Sequence, residues 1–238
     1  MNTFYKMLIK KFKSHMGESR YNWLYSVHHF SFAEYYDSNN LGIGPLRVIN
    51  DDIIAPHTGF ETHPHKNMEI LTYILKGVIT HKDSINNESK KVAKGSVQYM
   101  SAGSGVSHSE FNEEDESAEI AQIWIIPNKM DYEPNYGQVD FKWEDRVNKF
   151  LLIASGEKEA PIKINQNINI FALYLEKDKK IKFSPEKGFG YYIAFFEGET
   201  EIDRLFGKRY EAIIGDEEIE IKSLENSHML IFEIKKNN

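Results

Sequence analysis

Two short segments of the sequence carry side chains that bind divalent metal ions. The first has His63 and His65 on either side of Pro64, and the second, about forty residues later, has His108 and Glu110. Residues i and i+2 of an extended strand point to the same face, and a proline between the two histidines holds the backbone extended. If the two strands face each other in a barrel, three imidazoles and one carboxylate meet at one point. That ligand set suits a divalent transition metal.

Two further residues leave the ligand assignment open. Glu69 follows His65 by four residues, so in a regular strand it shares the face of the histidine pair. It is either the carboxylate ligand in place of Glu110 or an acceptor for an imidazole N–H. His81 either lines the pocket or is a structural histidine whose ring nitrogens are satisfied. The spacing is also compatible with surface histidines and with Glu110 in an ion pair on a polar strand face.

The elements around these segments are predicted to be short β-strands. Apolar and polar residues alternate over short runs that Gly, Pro, Asn or Asp separate, a pattern typical of an all-β sandwich or barrel. The run from Trp23 to Phe32 is one such strand. Within it His28 and His29 face opposite sides, one toward the core or a cavity and the other toward solvent. No long helix is predicted.

The strands fall into two halves of similar architecture. Residues 128–142, rich in Pro, Asn, Tyr and Gly, are predicted to link them, and eight of the nine histidines lie at or before His108. Only the first half can therefore hold a histidine-rich site. We predict an N-terminal arm or short helix over residues 1–20, a metal-binding domain over residues 21–130, and a second β domain without a metal motif over residues 131–238.

Composition restricts the classes of function. The 238 residues include no cysteine, which excludes disulfides and thiolate ligands, so nitrogen and oxygen must hold any metal. The net charge of -7 argues against direct binding to nucleic acid through overall charge. No apolar run is long enough for a membrane span, and residues 1–20 lack the apolar core of a signal peptide. A cytoplasmic location is therefore expected by default.

The motifs around the two metal-capable segments resemble those of the cupin superfamily and, within it, the pirin family. The resemblance rests on Gly59…His63-Pro64-His65…Glu69…Gly77 and on Gly95…Ser101-Ala102-Gly103…His108-Ser109-Glu110-Phe111-Asn112. Residues 26–32, 46–52 and 132–138 are also similar to that family. The resemblance is dense over residues 21–138 and thins to a general β pattern beyond them.

This resemblance implies two tandem cupin β-barrels of the jelly-roll type, with a single metal in the N-terminal barrel. Carried over residue by residue, the ligands are His63, His65, His108 and Glu110, and Glu69 becomes a residue of the pocket or of the shell behind the ligands. The metal of the family is usually iron, so Fe(II) is the first expectation. Copper, manganese, cobalt, nickel and zinc ions accept the same ligands.

The resemblance also implies an activity, because several bacterial pirin-like proteins are quercetin 2,3-dioxygenases. The first hypothesis is a metal-dependent dioxygenase that uses dioxygen to open the ring of a small aromatic flavonol, with Glu110 or Glu69 accepting the proton of the substrate hydroxyl. The second is a redox- or metal-sensing protein that binds a protein partner. The third is a storage or structural protein whose metal only stabilises the fold.

Overall fold

The chain is almost entirely β-structure. The computed structural model describes residues 8–236, and these form twenty-two strands and two 3-10 turns, Lys13–His15 and Trp143–Arg146. The first twelve strands are β1 (Ile9–Lys11), β2 (Gly17–Arg20), β3 (Leu24–His28), β4 (Leu46–Ile54), β5 (Thr58–His65), β6 (Glu69–Lys76), β7 (Val78–Asp83), β8 (Ser89–Ala93), β9 (Val97–Ser101), β10 (Val106–Asn112), β11 (Ala118–Ile125) and β12 (Asn135–Val139). The other ten are β13 (Leu151–Ser155), β14 (Ile162–Lys163), β15 (Ile168–Leu175), β16 (Lys180–Phe183), β17 (Phe189–Glu197), β18 (Glu199–Ile202), β19 (Leu205–Lys208), β20 (Ala212–Gly215), β21 (Ile219–Ser223) and β22 (Ser227–Lys235). Within residues 8–236, no helix has the length and apolar character that crossing a membrane requires.

The strands build two compact units. The N-terminal unit comprises residues 16–142 and 161–166, and the C-terminal unit comprises the other described residues. The N-terminal unit has a larger sheet in the order β12-β9-β6-β11-β4-β3-β2 and a smaller sheet in the order β5-β10-β7-β8. The C-terminal unit repeats this plan with β1-β20-β17-β22-β15-β13 and β16-β21-β18-β19. The predicted all-β class with two tandem jelly-roll domains is therefore confirmed, as pairs of packed sheets rather than closed barrels.

Two segments differ from their predicted structure. Residues 9–20 were expected to form an arm or a short helix, but β1 pairs with β20 and β2 pairs with β3. The part of that prediction that concerns residues 1–7 lies outside the described residues. The predicted linker, residues 128–142, contains β12, which pairs with β9 at the edge of the larger sheet of the N-terminal unit. Since β12 lies after residue 130, the N-terminal unit extends beyond the boundary predicted there.

A polar row crosses the inner face of the larger sheet in the N-terminal unit. Paired residues on β3, β4, β11, β6 and β9 form it, and they are His28, Asn50, Gln122, Thr72 and Gln98. Directly opposite residues of antiparallel strands project to one face, so the five side chains point between the two sheets. Four of them are at most 3% exposed, and Gln122 is 8% exposed.

Apolar clusters pack on both sides of this polar row. One contains Ile74 and Ile120, two residues along β6 and β11 from Thr72 and Gln122, and it also includes Ile79 and Val92 of the smaller sheet. The other contains Ile70 and Met100. Because successive side chains of a strand point to opposite faces, residues two positions apart share a face. The polar row and the two apolar clusters therefore lie on the same face of the larger sheet. The two sheets are thus held by apolar contacts while a polar layer remains between them.

The interior of the C-terminal unit is apolar at the corresponding place. Its core cluster joins strands of both sheets through twelve buried residues, which are Leu173, Leu175, Phe183, Tyr191, Ile193, Phe195, Ile202, Ile213, Ile219, Ile221, Met229 and Ile231. Among the described residues, groups of three or more metal-capable side chains occur in the N-terminal unit and not in this one. The core of the C-terminal unit thus consists of apolar side chains, whereas the N-terminal unit buries metal-capable side chains between its sheets.

Candidate metal centre

Strands β5 and β10 are hydrogen-bonded neighbours in the smaller sheet, not strands that face each other across a barrel. Their register places His63 opposite His108 and His65 opposite Val106, so the three imidazoles share one face. The register shifts between His108 and Glu110 because β5 contains an extra residue there. Against β7 on its other side β10 stays regular. His108 and Glu110 therefore keep the same face.

The three histidine rings lie against one another. The ring centroid of His63 lies 4.8 Å from that of His65 and 4.5 Å from that of His108, and the centroids of His65 and His108 are 4.9 Å apart. One nitrogen from each ring lies within 4.8 Å of the other two. A carboxylate oxygen of Glu110 and one ring nitrogen each of His108 and His81 also lie within 4.8 Å of one another. The structure thus gathers three of the four predicted ligands into one cluster, and Glu110 adjoins that cluster through His108.

Glu110 is 1% exposed, and both of its oxygens accept hydrogen bonds from the polar row. Its Oε1 accepts from Thr72 Oγ1 at 2.6 Å and from Gln98 Nε2 at 2.9 Å, and its Oε2 accepts from Gln122 Nε2 at 2.7 Å. Burial raises the pKa of Glu110, but the adjacent imidazoles and the hydrogen bonds from Thr72 and Gln122 outweigh burial and lower that pKa below its ordinary value. Glu110 is therefore an ionised carboxylate in a fixed orientation.

The imidazoles keep nitrogen atoms available for a ligand. Nε2 of His65 and both ring nitrogens of His108 are buried without a hydrogen-bond partner in the described part of the chain. Nδ1 of His63 donates to the carbonyl oxygen of Glu61 at 2.7 Å, which leaves its Nε2 as a lone-pair donor. Burial lowers the pKa of His65 and of His108 to about 4, so both rings are neutral at pH 7. Neutral imidazoles with unpaired nitrogens beside an ionised carboxylate fit a divalent transition metal.

Glu69 lies apart from this cluster, although the sequence predicted that it would share the face of the histidine pair. Strand β5 ends at His65, and a turn with Asn67 at φ 53° leads into β6, of which Glu69 is the first residue. Its carboxylate accepts hydrogen bonds from the backbone N–H and side chain of Asn165 at 2.7 and 2.6 Å and from the hydroxyl of Tyr99 at 3.0 Å. The turn thus places Glu69 in the other sheet, where its carboxylate holds the loop that contains Asn165.

His81 adjoins the cluster from β7. Its Nε2 lies 2.9 Å from Asp83 Oδ2, and its ring stacks on Tyr136 at 4.8 Å. Its Nδ1 is buried and has no hydrogen-bond partner within residues 8–236, and its ring centroid is 5.3 Å from that of His108. His81 thus combines the two predicted alternatives: Asp83 fixes one nitrogen as in a structural histidine, and the other remains beside the candidate ligands.

A cavity of about 740 Å³ gives access to the cluster. His63, His65, His108 and Glu110 line it. Its other walls are largely aromatic or apolar, with Tyr21, Trp23, Leu24, Phe32, Phe60, Phe111 and Trp124. Tyr21 is 57% exposed, so the cavity reaches the surface at this residue. Volumes of about 300–1,000 Å³ with mostly apolar walls are typical of small-molecule sites.

His28 is 2% exposed and lines this cavity, as expected for one histidine of its pair. Sequence reasoning missed two other polar residues of the lining on the larger sheet, Asn50 and Asp52, which are at most 3% exposed. His29 is also buried, so the expectation that one histidine of the pair faces solvent is wrong. The available signal was the run from Asn50 to Asp52, since three polar residues inside an apolar strand require a polar interior.

Comparisons with known proteins agree with this description. A family model described as Pirin matches residues 10–125, and one described as the quercetinase C-terminal cupin domain matches residues 151–234. The chain is 37% identical to quercetin 2,3-dioxygenase of Escherichia coli (strain K12), over 92% of this chain and 94% of that one. It is 38% identical to a pirin-like protein of Caulobacter vibrioides, over 94% and 98% of the two chains.

Solved structures are similar over nearly the whole length. The crystal structure of YhhW from Escherichia coli matches with a TM-score of 0.89 and 33% identity, covering 98% of this chain and 99% of that one. The structure of bacterial pirin YhhW in complex with nickel(II) matches with a TM-score of 0.88 and the same identity, covering 97% and 100%.

Proposed function

The chain belongs to the pirin family of cupin proteins, and from this premise we propose that it is a metal-dependent dioxygenase that opens the ring of a flavonol such as quercetin. His63, His65, His108 and Glu110 would hold one divalent transition metal, with Fe(II) as the first candidate. When bound, the metal supplies the redox chemistry through which dioxygen attacks the aromatic substrate. The observation that carries the proposal is the aromatic cavity of about 740 Å³ that ends on these four side chains.

The protein's own residues would bind and orient the substrate. The aromatic walls near the surface, including Trp23 and Phe60 with ring centroids 5.1 Å apart, suit a flat aromatic ring. At the inner end Trp124 packs edge-on against His65 at 4.8 Å and limits the space around the histidines. An apolar wall that leads to a polar end favours a ligand with an aromatic body and oxygen substituents at one end.

The relatives support this assignment. The Escherichia coli protein named quercetin 2,3-dioxygenase is similar over almost the whole chain, and the nickel(II) complex of the similar pirin YhhW supports a metal between the two sheets here. A cavity open to the surface favours a small molecule over a sealed sensing site. The proposal includes dioxygen as the second substrate, because the similar Escherichia coli protein is named a dioxygenase.

The test is reconstitution of metal-free protein with Fe(II), Mn(II), Co(II), Ni(II) and Cu(II) in separate samples. Each sample receives quercetin in air-saturated buffer, and oxygen uptake, the flavonol absorption band and carbon monoxide are followed. We expect turnover with at least one metal, and loss of both metal and turnover in His108→Ala. The matched control is His57→Asn at the exposed cavity rim, since asparagine tolerates the backbone of His57 at φ 56°. Absence of oxygen uptake with every metal would refute the proposal for this substrate.

A further inference from the structure

Asp52 is a buried carboxylate in the cavity wall that the ligand set does not use. It lies on β4, is 1% exposed, and lines the same cavity as Glu110. Its Oδ1 is buried without a hydrogen-bond partner among the described residues. A buried, unpaired oxygen of an acidic group is costly unless a ligand or a proton occupies it. Its place in a ligand-sized cavity makes it a candidate functional group.

Hydrogen bonds connect Asp52 to the outer part of the cavity. Ser26, directly across on β3, bonds to its carboxylate. The Oγ of Ser26 lies 3.2 Å from Nδ1 of His28, which also lies 2.9 Å from Oδ1 of Asn50. On the other side of the ring, Nε2 of His28 lies 2.8 Å from the hydroxyl of Ser19, a partly exposed residue of the lining.

These contacts fit one consistent set of donors. The Asn50 oxygen only accepts, so Nδ1 of His28 carries the hydrogen and Nε2 accepts from the hydroxyl of Ser19. Ser26 can then accept from His28 and donate to Asp52. The chain Asp52, Ser26, His28 and Ser19 therefore runs from the cavity wall toward its rim without a break.

The candidate ligand Glu110 is poorly suited to accept a further proton. Its oxygens already accept three hydrogen bonds, from Thr72, Gln98 and Gln122, whereas within residues 8–236 the side-chain donor to Asp52 is Ser26. An acceptor with a free lone pair in the cavity is better placed to meet an incoming hydroxyl group.

We propose that Asp52 accepts the proton of the substrate hydroxyl group and that the hydrogen bonds from Ser19 through His28 and Ser26, which all donate toward Asp52, hold its carboxylate in place. This inference rests on the proposed function. The O–H bond of a flavonol hydroxyl breaks, the electron pair stays on the substrate oxygen, and a new O–H bond forms on Oδ1 of Asp52. The step needs no oxidant or reductant. It prepares an electron-rich substrate for the reaction with dioxygen.

The charge state of Asp52 agrees with this role. Burial, and then the negative charges of Asp51 and Glu110, raise its pKa to about 7, while the hydrogen bond from Ser26 opposes them. The other titratable group facing it across the strand pair is His28, whose pKa burial lowers, so that ring stays neutral. A base that titrates near the working pH both takes up and releases a proton readily.

The experiment uses zinc-loaded protein without dioxygen, so that binding and ionisation are measured without turnover. Quercetin is titrated from pH 6 to 9, and its absorption band reports whether the bound hydroxyl is ionised. We expect Asp52→Asn to bind zinc normally and to shift the ionisation midpoint of bound quercetin upward by about one pH unit, because asparagine cannot take up the hydroxyl proton and donate it back to the ionised substrate oxygen as a carboxyl group can. In the iron-loaded protein we expect kcat to fall by about 100-fold or more, in the range of lost general-base catalysis. Ser26→Ala keeps the carboxylate and removes the hydrogen bond that lowers its pKa, so we expect no upward shift of the midpoint in this variant.

The matched control is Glu88→Gln, because Glu88 is an exposed carboxylate of the N-terminal unit outside the cavity lining. We expect no shift of the midpoint in this variant. An unchanged midpoint in Asp52→Asn would overturn the role of Asp52 while leaving the proposed function intact. Failure of the unmodified protein to bind quercetin would overturn the proposed function and this inference with it.

Discussion

Replacing Asp52 by Asn should stabilise the metal-free protein at alkaline pH. Asparagine has nearly the same shape and can keep a hydrogen bond with Ser26, but it never carries a charge. In the folded protein the pKa of Asp52 is raised from 3.8 to about 7. Between these values the folded state binds a proton that the unfolded state lacks, so the unfolding free energy falls as the pH rises. The full shift corresponds to about 4 kcal/mol at about 1.36 kcal/mol per pH unit.

The pH range of the effect follows from the same two values. At pH 5 the folded protein holds Asp52 neutral, as asparagine would be, and at pH 8 most of the folded protein has an ionised Asp52. The unfolding free energy of Asp52→Asn minus that of the unmodified protein should therefore increase by about 3 kcal/mol between pH 5 and pH 8. Other titrating groups cancel in this difference.

Urea unfolding with a chelator present, at pH 5, 6, 7 and 8, measures this difference. Two of the three tryptophans, Trp23 and Trp124, lie in the N-terminal unit, so their fluorescence reports its unfolding. The control Glu88→Gln should lack the increase expected for Asp52→Asn, because the side chain of Glu88 is exposed. A flat or decreasing difference for Asp52→Asn would refute the claim that burial holds this carboxyl protonated.

Three further predictions concern the candidate metal centre. Gln122→Ala removes the donor to Oε2 of Glu110 and should weaken metal binding by about 10–100-fold, measured by competition with a coloured chelator. Gly59→Ala should lower the melting temperature and the metal content, because its Cβ would lie 2.2 Å from the carbonyl oxygen of Glu110, whereas Gly137→Ala meets no atom within 4 Å and should change neither. Since burial lowers the pKa of His108 to about 4, bound metal should be retained from pH 8 to about pH 5 and released on further acidification as protons compete for the ring, which equilibrium dialysis would show.

The Gln122 prediction also has a control on the same sheet. Gln138 lies at the edge strand β12, where its side chain donates to the carbonyl oxygen of Lys91 and to Asp140 at an exposed position. Gln138→Ala should leave metal affinity unchanged. Equal losses in the two variants would mean that the polar row does not act through Glu110.

Local periodicity predicts the two pairs of residues from which the cluster is built. His63 and His65 share a face because strands alternate, and so do His108 and Glu110. The sequence does not contain the register, which places His63 opposite His108 in neighbouring strands. The position of Glu69 was wrong for a related reason: spacing predicts a shared face only within one strand, and the turn at Asn67 moves Glu69 into the other sheet.

The polar row could not be predicted from local patterns. Its members come from five strands, and three of them, Thr72, Gln98 and Gln122, are single polar residues between apolar or aromatic neighbours. Only long-range pairing makes them a row. The all-β class of both halves was predictable because short alternating strands with turn residues at even spacing need no register to be recognised, whereas the jelly-roll type was implied by the resemblance to the cupin superfamily.

The two buried carboxylates of the cavity show how one environment produces two chemical roles. Glu110 and Asp52 are both 1% exposed, so burial acts on them in the same direction. The adjacent imidazoles and the hydrogen bonds from Thr72 and Gln122 keep the pKa of Glu110 low, while Asp52 has one donor and a raised pKa of about 7. A carboxylate that stays ionised suits a metal ligand, and one that titrates near pH 7 suits proton transfer. Their roles therefore follow from the position of each residue relative to the polar row, since Glu110 meets three of its members and Asp52 lies on β4 two residues beyond Asn50.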